Sequence, residues 1–372
     1  MLRVCDFPLS GNCYRVRLFL HLNDLPYTAI PVGNPELSRF ASSLAELDPL
    51  QQEPIIFDDD HVIEDSHAAL TFLAEKYAQH WIPRTGSIEF AAMHRWLAFS
   101  ASEIAPSLER RRIRCVGGGQ EAWTHTGLED AERDIEVVRQ RSLNALGTLN
   151  DALATHSWLA GSAPTIADIA CFPYVSTVDE AELSLLDFPH VERWADQISR
   201  LPGFQPLLEG EPGTSGSVVG IHTAPRGMLP MRNIREARVI QGKGLEGDRY
   251  AEGKGFLSDK LVEFGVRDQR DVTLIQYEVL ASLRQEHRIH LSMSEHRRNV
   301  TTVGVDVNAL IGKRFKIGSI ELEGFSNQPC KHLEDVTGKP IAPLLIGRCG
   351  INARVLNSGT IRLSDEIHLI HV

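Results

Sequence analysis

The sequence predicts a multidomain protein in which an α/β domain, an all-α domain and a β-rich domain follow one another. Three observations support this prediction. Residues 2–80 alternate between short β-type runs and amphipathic helical segments. Residues 86–205 carry apolar residues at helical spacing almost throughout, and short β-type runs punctuated by glycine dominate after residue 217. A chain of 372 residues is also long for a single hydrophobic core, which favours two or three domains.

The first region shows the element order β-α-β-α-β-β-α. Strands are predicted at LRVCDF, PYTAIPV, EPIIFDD and HVIED, and helices at NCYRVRLFLHLND, PELSRFASSLAEL and SHAALTFLAEKYA. Pro35 opens the second of these helices and Ser66 begins the third. This order of elements is typical of a thioredoxin-like fold.

The remaining chain separates into a helical part, a linker and a β-rich part. Thr165 followed by Asp168 predicts a capped helix start before the apolar stretch IACFPYV. The segment LEGEPGTSGS, residues 208–217, is rich in Gly, Ser and Pro and predicts a linker. After it, YEVLASLRQEH predicts a single helix among strands that suggest a barrel or folded-over sheet: SVVGIHT, EARVI, DVTLI, NVTTV, RFKIGSIELEGF, INARVL, TIRL and EIHLIHV.

Composition and charge exclude several function classes. Up to Gly216 the chain has 16 basic and 31 acidic side chains, which argues against a nucleic-acid partner; after it there are 22 basic and 18 acidic, which suits a small anion. No apolar run approaches the roughly 18 residues of a membrane helix, and no secretory signal is visible. Six scattered cysteines without a C-x-x-C pair argue against a disulfide framework, so we expect a cytoplasmic protein.

The first two regions resemble the glutathione S-transferase family. The resemblance rests on SGNCYRVR, with Ser10 at the first strand-to-helix turn, on QQEPII, with Pro54 in the place of the family's cis-proline, and on EDSHAALTFLAEKY, with its acid-serine pair Asp65 and Ser66. It implies a thioredoxin-like domain over residues 1–82, an all-α domain over 86–207, a glutathione ligand and a homodimer.

These positions suit the chemistry of glutathione. A sulfur beside Ser10 would lie near a helix N-terminus, where free N–H groups and the helix dipole favour a thiolate. Glu53, the residue before Pro54, would pair its backbone with the tripeptide, and Asp65 and Ser66 would hold the charged γ-glutamyl end.

Other readings of the same residues stay open. Ser10 and Ser66 are also ordinary helix caps, and Asn12 and Cys13 are alternative contacts for the sulfur. Glu53 stands where the family usually has an apolar residue, which places a carboxylate close to an anionic ligand. Modules of this kind also serve as dimerisation units without catalysis.

The last region, residues 218–372, resembles the MOSC family, named for the C-terminal domain of molybdenum-cofactor sulfurases. The segments that carry the resemblance occur in family order: GLEGDRY, EHRRNVTT, ALIGKRFKIGSIELEG, QPCKHLE and RCGINARVLNSGTIRLSDEI. It implies a β-barrel domain and a functional cysteine at Cys330.

Cys330 has two predicted roles. As a thiolate it suits the metal of a molybdenum cofactor in an enzyme that reduces small molecules such as N-hydroxylated compounds, with a reductase partner. It equally suits a persulfide supplied by a desulfurase partner that uses pyridoxal phosphate. Lys331 would lower the pKa of the Cys330 thiol. The alternative is that Cys330 is a buried, unreactive thiol. Cys349 is expected to be structural, with a resolving role left open.

Arginines complete the predicted cofactor pocket because guanidinium groups bind phosphate in a two-pronged geometry. Arg249 follows a tight turn, and Arg297 and Arg298 precede Asn299 at a predicted strand start. Since neighbours in a strand point to opposite faces, we expect Arg298 rather than Arg297 to reach the pocket, together with Asn299. His332 and Glu334 would share a face with Cys330 if that segment is extended. A transferase with an accessory MOSC domain is a further hypothesis.

Overall fold

The computed structural model describes residues 1–31, 54–117, 133–208, 212–255, 270–327 and 333–370. The chain forms two compact units, the first built chiefly from residues up to Glu209 and the second from Gly210 onward. Within the described ranges, no helix combines the length and apolar character needed to cross a membrane.

The first unit begins with a four-stranded sheet flanked by helices. Its elements are β1 (Leu2–Asp6), α1 (Gly11–Leu22), β2 (Tyr27–Pro31), β3 (Ile55–Asp58), β4 (His61–Glu64) and α2 (Ser66–Tyr77). The strand order is β2-β1-β3-β4, with β1 parallel to β2 and the other pairs antiparallel. The predicted thioredoxin-like order is confirmed for these elements, and the helix predicted at PELSRFASSLAEL lies outside the described residues.

The rest of the first unit is helical. One continuous helical stretch comprises α3 (Ile88–Phe99), wide π-type turns over Ser100–Glu109 and α4 (Arg110–Gly117). The π-type turns contain Pro106, which has no N–H to donate. Three more helices follow: α5 (Arg133–Leu153), α6 (Ile166–Val175) and α7 (Pro189–Ser199).

Helix α6 is the central element of this unit, because all ten of its residues are buried. Its start is a capping box: Thr165 accepts from the N–H of Ala167, and Asp168 accepts from the N–H of Thr165 at 2.8 Å. Asp168 also accepts from Leu159 N and Trp194 Nε1. The predicted capped start is therefore confirmed.

The second unit is a β-barrel with two short helices. Its elements are β5 (Ser215–Thr223), β6 (Arg232–Ile234), β7 (Glu236–Ile240), β8 (Gly244–Leu245), β9 (Val272–Gln276), α8 (Tyr277–His287), β10 (Val300–Val303), β11 (Arg314–Ile317), β12 (Ile320–Ser326), α9 (Leu333–Thr337), β13 (Ile351–Val355), β14 (Gly359–Arg362) and β15 (Glu366–Leu369). Seven strands close in the order β5-β10-β9-β13-β12-β11-β15 and back to β5. The predicted β-barrel is confirmed.

The linker ends earlier than the Gly, Ser and Pro content predicts. Strand β5 begins at Ser215, so Ser215 to Ser217 pair with β15 and belong to the barrel. The small residues serve close packing there: a Cβ on Gly216 would lie 2.1 Å from the carbonyl oxygen of Val303. Composition alone does not distinguish such a strand from a flexible linker.

Candidate functional site

The turn from β1 into α1 carries Ser10 as the helix N-cap. Its Oγ accepts a hydrogen bond from the N–H of Cys13 at 3.3 Å, and its own N–H donates to Phe7 O at 3.0 Å. No described residue accepts the Ser10 hydroxyl proton. The capping role is therefore present, and the hydroxyl keeps a proton that it could donate to a ligand sulfur.

A carboxylate from the helical half lies against the same turn. Glu109 Oε1 accepts from the N–H of Gly11 at 3.3 Å, and Arg112 donates to both Glu109 oxygens and to Leu9 O at 2.8 Å. A Cβ on Gly11 would lie 2.7 Å from the ring of Tyr174, so this close packing requires glycine. Glu109 thus occupies part of the position at the α1 N-terminus that an anion would favour.

Asn12 connects this turn to the start of α2. Its Oδ1 accepts from the hydroxyl of Tyr174 at 2.5 Å and is 3.5 Å from Ser66 Oγ. Asn12, two residues after Ser10 in α1, therefore contacts Ser66 at the start of α2. By contrast Cys13 is fully buried, and its sulfur accepts from the N–H of Phe7 and donates to Cys5 O. Asn12 is the better placed of the two predicted alternatives.

Helix α2 begins at a backbone conformation that is unusual for a non-glycine residue. Asp65 has a φ of 73° and accepts from the N–H groups of His67 and Ala68 at 2.8 and 3.0 Å. Among the described residues nothing accepts from the N–H of Ser66, the first in the helix. Pro54 is buried directly before β3, and Glu53 lies outside the described residues.

The side chain of Arg15 is fully buried and contacts the hydroxyl of Ser66. It donates to Ser66 Oγ at 2.6 Å, Ser100 Oγ at 3.2 Å and Tyr174 Oη at 2.8 Å, and it lies 3.0 Å from His67 Nδ1. Burial, and next the charge of Arg15, lowers the pKa of His67 to about 4, so this imidazole is neutral. Burial raises the pKa of Tyr174.

In the second unit, the side chain of Arg249 links the segment after β8 to the segment before β10. It donates to Arg297 O at 2.8 Å, pairs with Asp248 at 3.1 Å and stacks over Tyr250. Asp248 in turn accepts from the N–H of Ala224. The guanidinium is thus committed to its own unit.

Asn299 is likewise committed within the barrel. Its Oδ1 accepts from both the N–H and the hydroxyl of Thr273, and its Nδ2 donates to His222 O at 3.2 Å. The side chain ties β5 and β9 to the start of β10 and is fully buried.

The prediction that Arg297 and Arg298 lie in an extended strand is wrong. Strand β10 begins only at Val300, and Arg297 has a φ of 67°, so the pair is not extended. Both side chains are buried: Arg297 donates to Leu229 O, and Arg298 donates to Cys349 O at 3.0 Å and Asn352 Oδ1 at 3.3 Å. A positive φ at a residue before a strand cannot be predicted from the pattern of residue types.

Two buried histidines form a hydrogen-bonded chain beside these arginines. His296 Nδ1 accepts from the N–H of Arg298, so its Nε2 carries the proton that is donated to Thr301 Oγ1 at 2.8 Å. Thr301 lies 3.0 Å from His222 Nε2, and His222 Nδ1 lies 2.5 Å from Asn233 Oδ1. Burial lowers the pKa of His222 to about 4, and burial with the neighbouring His222 lowers the pKa of His296 well below its usual value.

Cys349 lies next to this cluster. Its thiol donates to Asn327 Oδ1 at 2.5 Å. Burial raises the pKa of this thiol, and the positive charge of Arg298 offsets part of that rise. Cys330, Lys331 and His332 lie outside the described residues. Glu334 falls in helix α9 and accepts from the N–H of Ala342, so the extended segment expected there does not reach it.

Three family models match successive parts of the chain. The glutathione S-transferase N-terminal domain matches residues 4–81, the glutathione S-transferase C-terminal domain matches 91–202, and the MOSC domain matches 261–368. The chain joins a glutathione S-transferase module to a MOSC domain.

Relatives of the transferase module include two proteins of Escherichia coli. The disulfide-bond oxidoreductase YfcG is 26% identical over 57% of this chain and 97% of its own length. The disulfide-bond oxidoreductase YghU is 29% identical over 50% of this chain and 64% of its own length. A solved structure of a possible glutathione S-transferase from Rhodopseudomonas palustris is 27% identical and covers 57% of this chain and 99% of that chain, with a TM-score of 0.47.

The MOSC family implies a molybdenum cofactor, and three of the residues predicted to hold it already have hydrogen-bond partners within their own domain. Arg249, Arg298 and Asn299 are buried and already donate to oxygen atoms of their own domain. Across the described ranges, no group of three His, Cys, Asp or Glu side chains could hold a metal ion.

Sequence reasoning missed four residues around the candidate glutathione site: Arg15, His67, Glu109 and Tyr174. His67 directly follows the acid-serine pair and was visible as a neighbour of Ser66. Glu109 and Tyr174 lie 98 and 162 residues from the α1 residues that they contact, so no local pattern connects them.

Proposed function

We propose that the transferase module binds glutathione and uses its thiol in exchange reactions with disulfides. The observation that carries this proposal is the junction of two helix N-termini through Asn12. Ser10 at one start keeps a hydroxyl proton. Ser66 at the other keeps its N–H, and among the described residues its hydroxyl proton has only a long contact of 3.5 Å with Asn12 Oδ1. Glutathione carries a thiol and a γ-glutamyl carboxylate, one for each position.

In this assignment Ser10 donates a hydrogen bond to the sulfur, and Asp65 and Ser66 hold the γ-glutamyl end. Glu53 would pair its backbone with the tripeptide beside Pro54. The thiolate attacks one sulfur of the disulfide, the old sulfur–sulfur bond breaks, and the departing thiolate takes a proton from water. A second glutathione resolves the mixed disulfide in the same way. The two relatives named as disulfide-bond oxidoreductases favour this reaction.

Replacing Ser10 tests the assignment. Because hydrogen bonds to charged groups contribute about 1.5–3 kcal/mol, Ser10→Ala should lower kcat/KM for glutathione-dependent disulfide reduction about 10- to 100-fold. Ser87→Ala is the matched control, since Ser87 caps α3 by the same kind of bond to Phe90 N. Equal activity of Ser10→Ala and wild type would reject the role of Ser10. Turnover of an electrophile but not of a disulfide would replace exchange with conjugation.

We also propose that Cys330 is the reactive thiol of the MOSC domain, because the MOSC match spans it. As a ligand of a molybdenum cofactor, with Lys331 nearby, it would serve reduction of small molecules such as N-hydroxylated compounds. Metal analysis of the intact protein should then find molybdenum that Cys330→Ala loses and Cys349→Ala retains. Molybdenum retained in Cys330→Ala would contradict this role. A sulfur adduct on Cys330 after incubation with a desulfurase would instead support persulfide transfer.

A further inference from the structure

The guanidinium of Arg15 is a buried charge with no anionic partner among the described residues. Its exposed fraction is 0%, and all its contacts are with neutral groups: three hydroxyls and the neutral imidazole of His67. Its Nε has no hydrogen-bond partner, and neither has the buried Nε2 of His67. An unpaired buried charge is unfavourable, and an anion brought close to it recovers free energy.

Ser66 connects this charge to the start of α2. Its Oγ accepts from Arg15 at 2.6 Å, while its own proton meets only the distant Asn12 Oδ1 at 3.5 Å. Accepting from a cation polarises the hydroxyl and makes it a better donor. Together with the N–H of Ser66, this donor favours a carboxylate at the helix start.

We propose that Arg15 is a positioning residue that selects the α-carboxylate of the γ-glutamyl group through the hydroxyl of Ser66. The inference rests on the proposed glutathione binding and adds the source of its charge selectivity. Asp65 makes no ion pair with Arg15: its carboxylate caps the N–H groups of His67 and Ala68 and lies 3.9 Å from His67 Nδ1.

Arg15→Met is a practical variant because the groups around Arg15 keep other partners. Ser100 Oγ donates to Ala170 O, Tyr174 Oη donates to Asn12 Oδ1, and Ser66 Oγ remains near Asn12. Removing an unpaired buried charge is often neutral or stabilising, so we expect the melting temperature of Arg15→Met to equal or exceed that of wild type.

The test is a two-by-two binding experiment on the intact protein. Wild type and Arg15→Met are titrated with glutathione and with γ-aminobutyryl-cysteinylglycine, which lacks only the α-carboxylate. Wild type should prefer glutathione by about tenfold or more, and Arg15→Met should lose that preference while binding the analogue as wild type does. Arg15→Lys, which keeps the charge, should restore part of the preference.

Equal weakening of both ligands in Arg15→Met, with a lower melting temperature, would assign Arg15 a merely structural role and overturn the inference. Unchanged glutathione affinity in Arg15→Met would overturn it as well. Absence of glutathione binding by the wild-type protein would contradict the proposed function, and this inference with it.

Discussion

Glu109 opposes the thiolate that the α1 N-terminus would otherwise stabilise. Its carboxylate takes the N–H of Gly11 and adds a negative charge beside Ser10, with Arg112 offsetting part of it. Charges at helix ends contribute about 0.3–1 kcal/mol. Glu109→Gln should therefore lower the pKa of the bound glutathione thiol and raise its thiolate content about two- to fivefold, as ultraviolet thiolate absorbance across a pH titration would show.

Glu103→Gln provides the control, because Glu103 lies in the same π-type segment but pairs with Arg141 at the surface. It should leave the thiol pKa unchanged. A higher thiol pKa in Glu109→Gln would contradict the account and indicate that Glu109 accepts the thiol proton instead.

The buried histidines give the barrel a dependence on pH. The pKa of His222 is lowered to about 4 by burial, against about 6.5 in the unfolded chain. The unfolded state therefore binds protons first, so the stability from this group is complete above pH 6.5 and declines as pH falls towards 4. The loss from His222 is on the order of 2 kcal/mol at pH 5.

His222→Gln should be less stable than wild type at pH 7, because Thr301 and Asn233 lose their ring contacts, yet lose less stability between pH 7 and pH 5. Calorimetric unfolding of the intact protein at the two pH values measures both quantities. An unchanged loss in the variant would show that other groups cause the acid sensitivity.

At this scale the sequence locates residues that have a local role and misses those that act across the fold. Ser10, Asp65 and Ser66 follow from helix-start signals, and the structure places each at a helix N-terminus. The role of Arg15 could not be predicted in this way, because it depends on hydrogen bonds to Ser100 and Tyr174, which are distant in sequence. The commitment of Arg249 and Asn299 to barrel contacts depends equally on distant residues.

Among the elements, β5 closes the barrel by pairing with both β10 and β15, and close packing at Gly216 accompanies this closure. Gly216 packs against the backbone of Val303 and Val305, where a methyl group would overlap. Gly216→Ala should destabilise the second unit by about 1–3 kcal/mol. Gly213→Ala is the control, since no atom lies within 4 Å of a Cβ there. Equal denaturant midpoints for the two variants would contradict this packing.

Strand and helix positions were predictable where one face is regularly apolar, as in β7 and α8. The start of β5 was not, because its first residues have the composition of a linker. The positive φ of Arg297 was also invisible, since it depends on how the chain enters β10.

At the scale of the whole molecule, two unlike units are joined in one chain. The chain carries 16 basic and 31 acidic side chains up to Gly216, and 22 basic and 18 acidic side chains after it. We propose that the transferase module forms a homodimer, and sedimentation of the intact protein should give twice the chain mass of 41.4 kDa. A monomer at micromolar concentration would contradict the dimer.

We propose that the transferase module binds glutathione at the junction of the α1 and α2 starts. Isothermal titration of the intact protein with glutathione tests it most directly. We expect saturable heat with one site per chain, a Kd of about 1 μM to 1 mM, and marked weakening in Ser66→Ala but not in Ser87→Ala. No saturable heat at about 10 mM glutathione would contradict the claim.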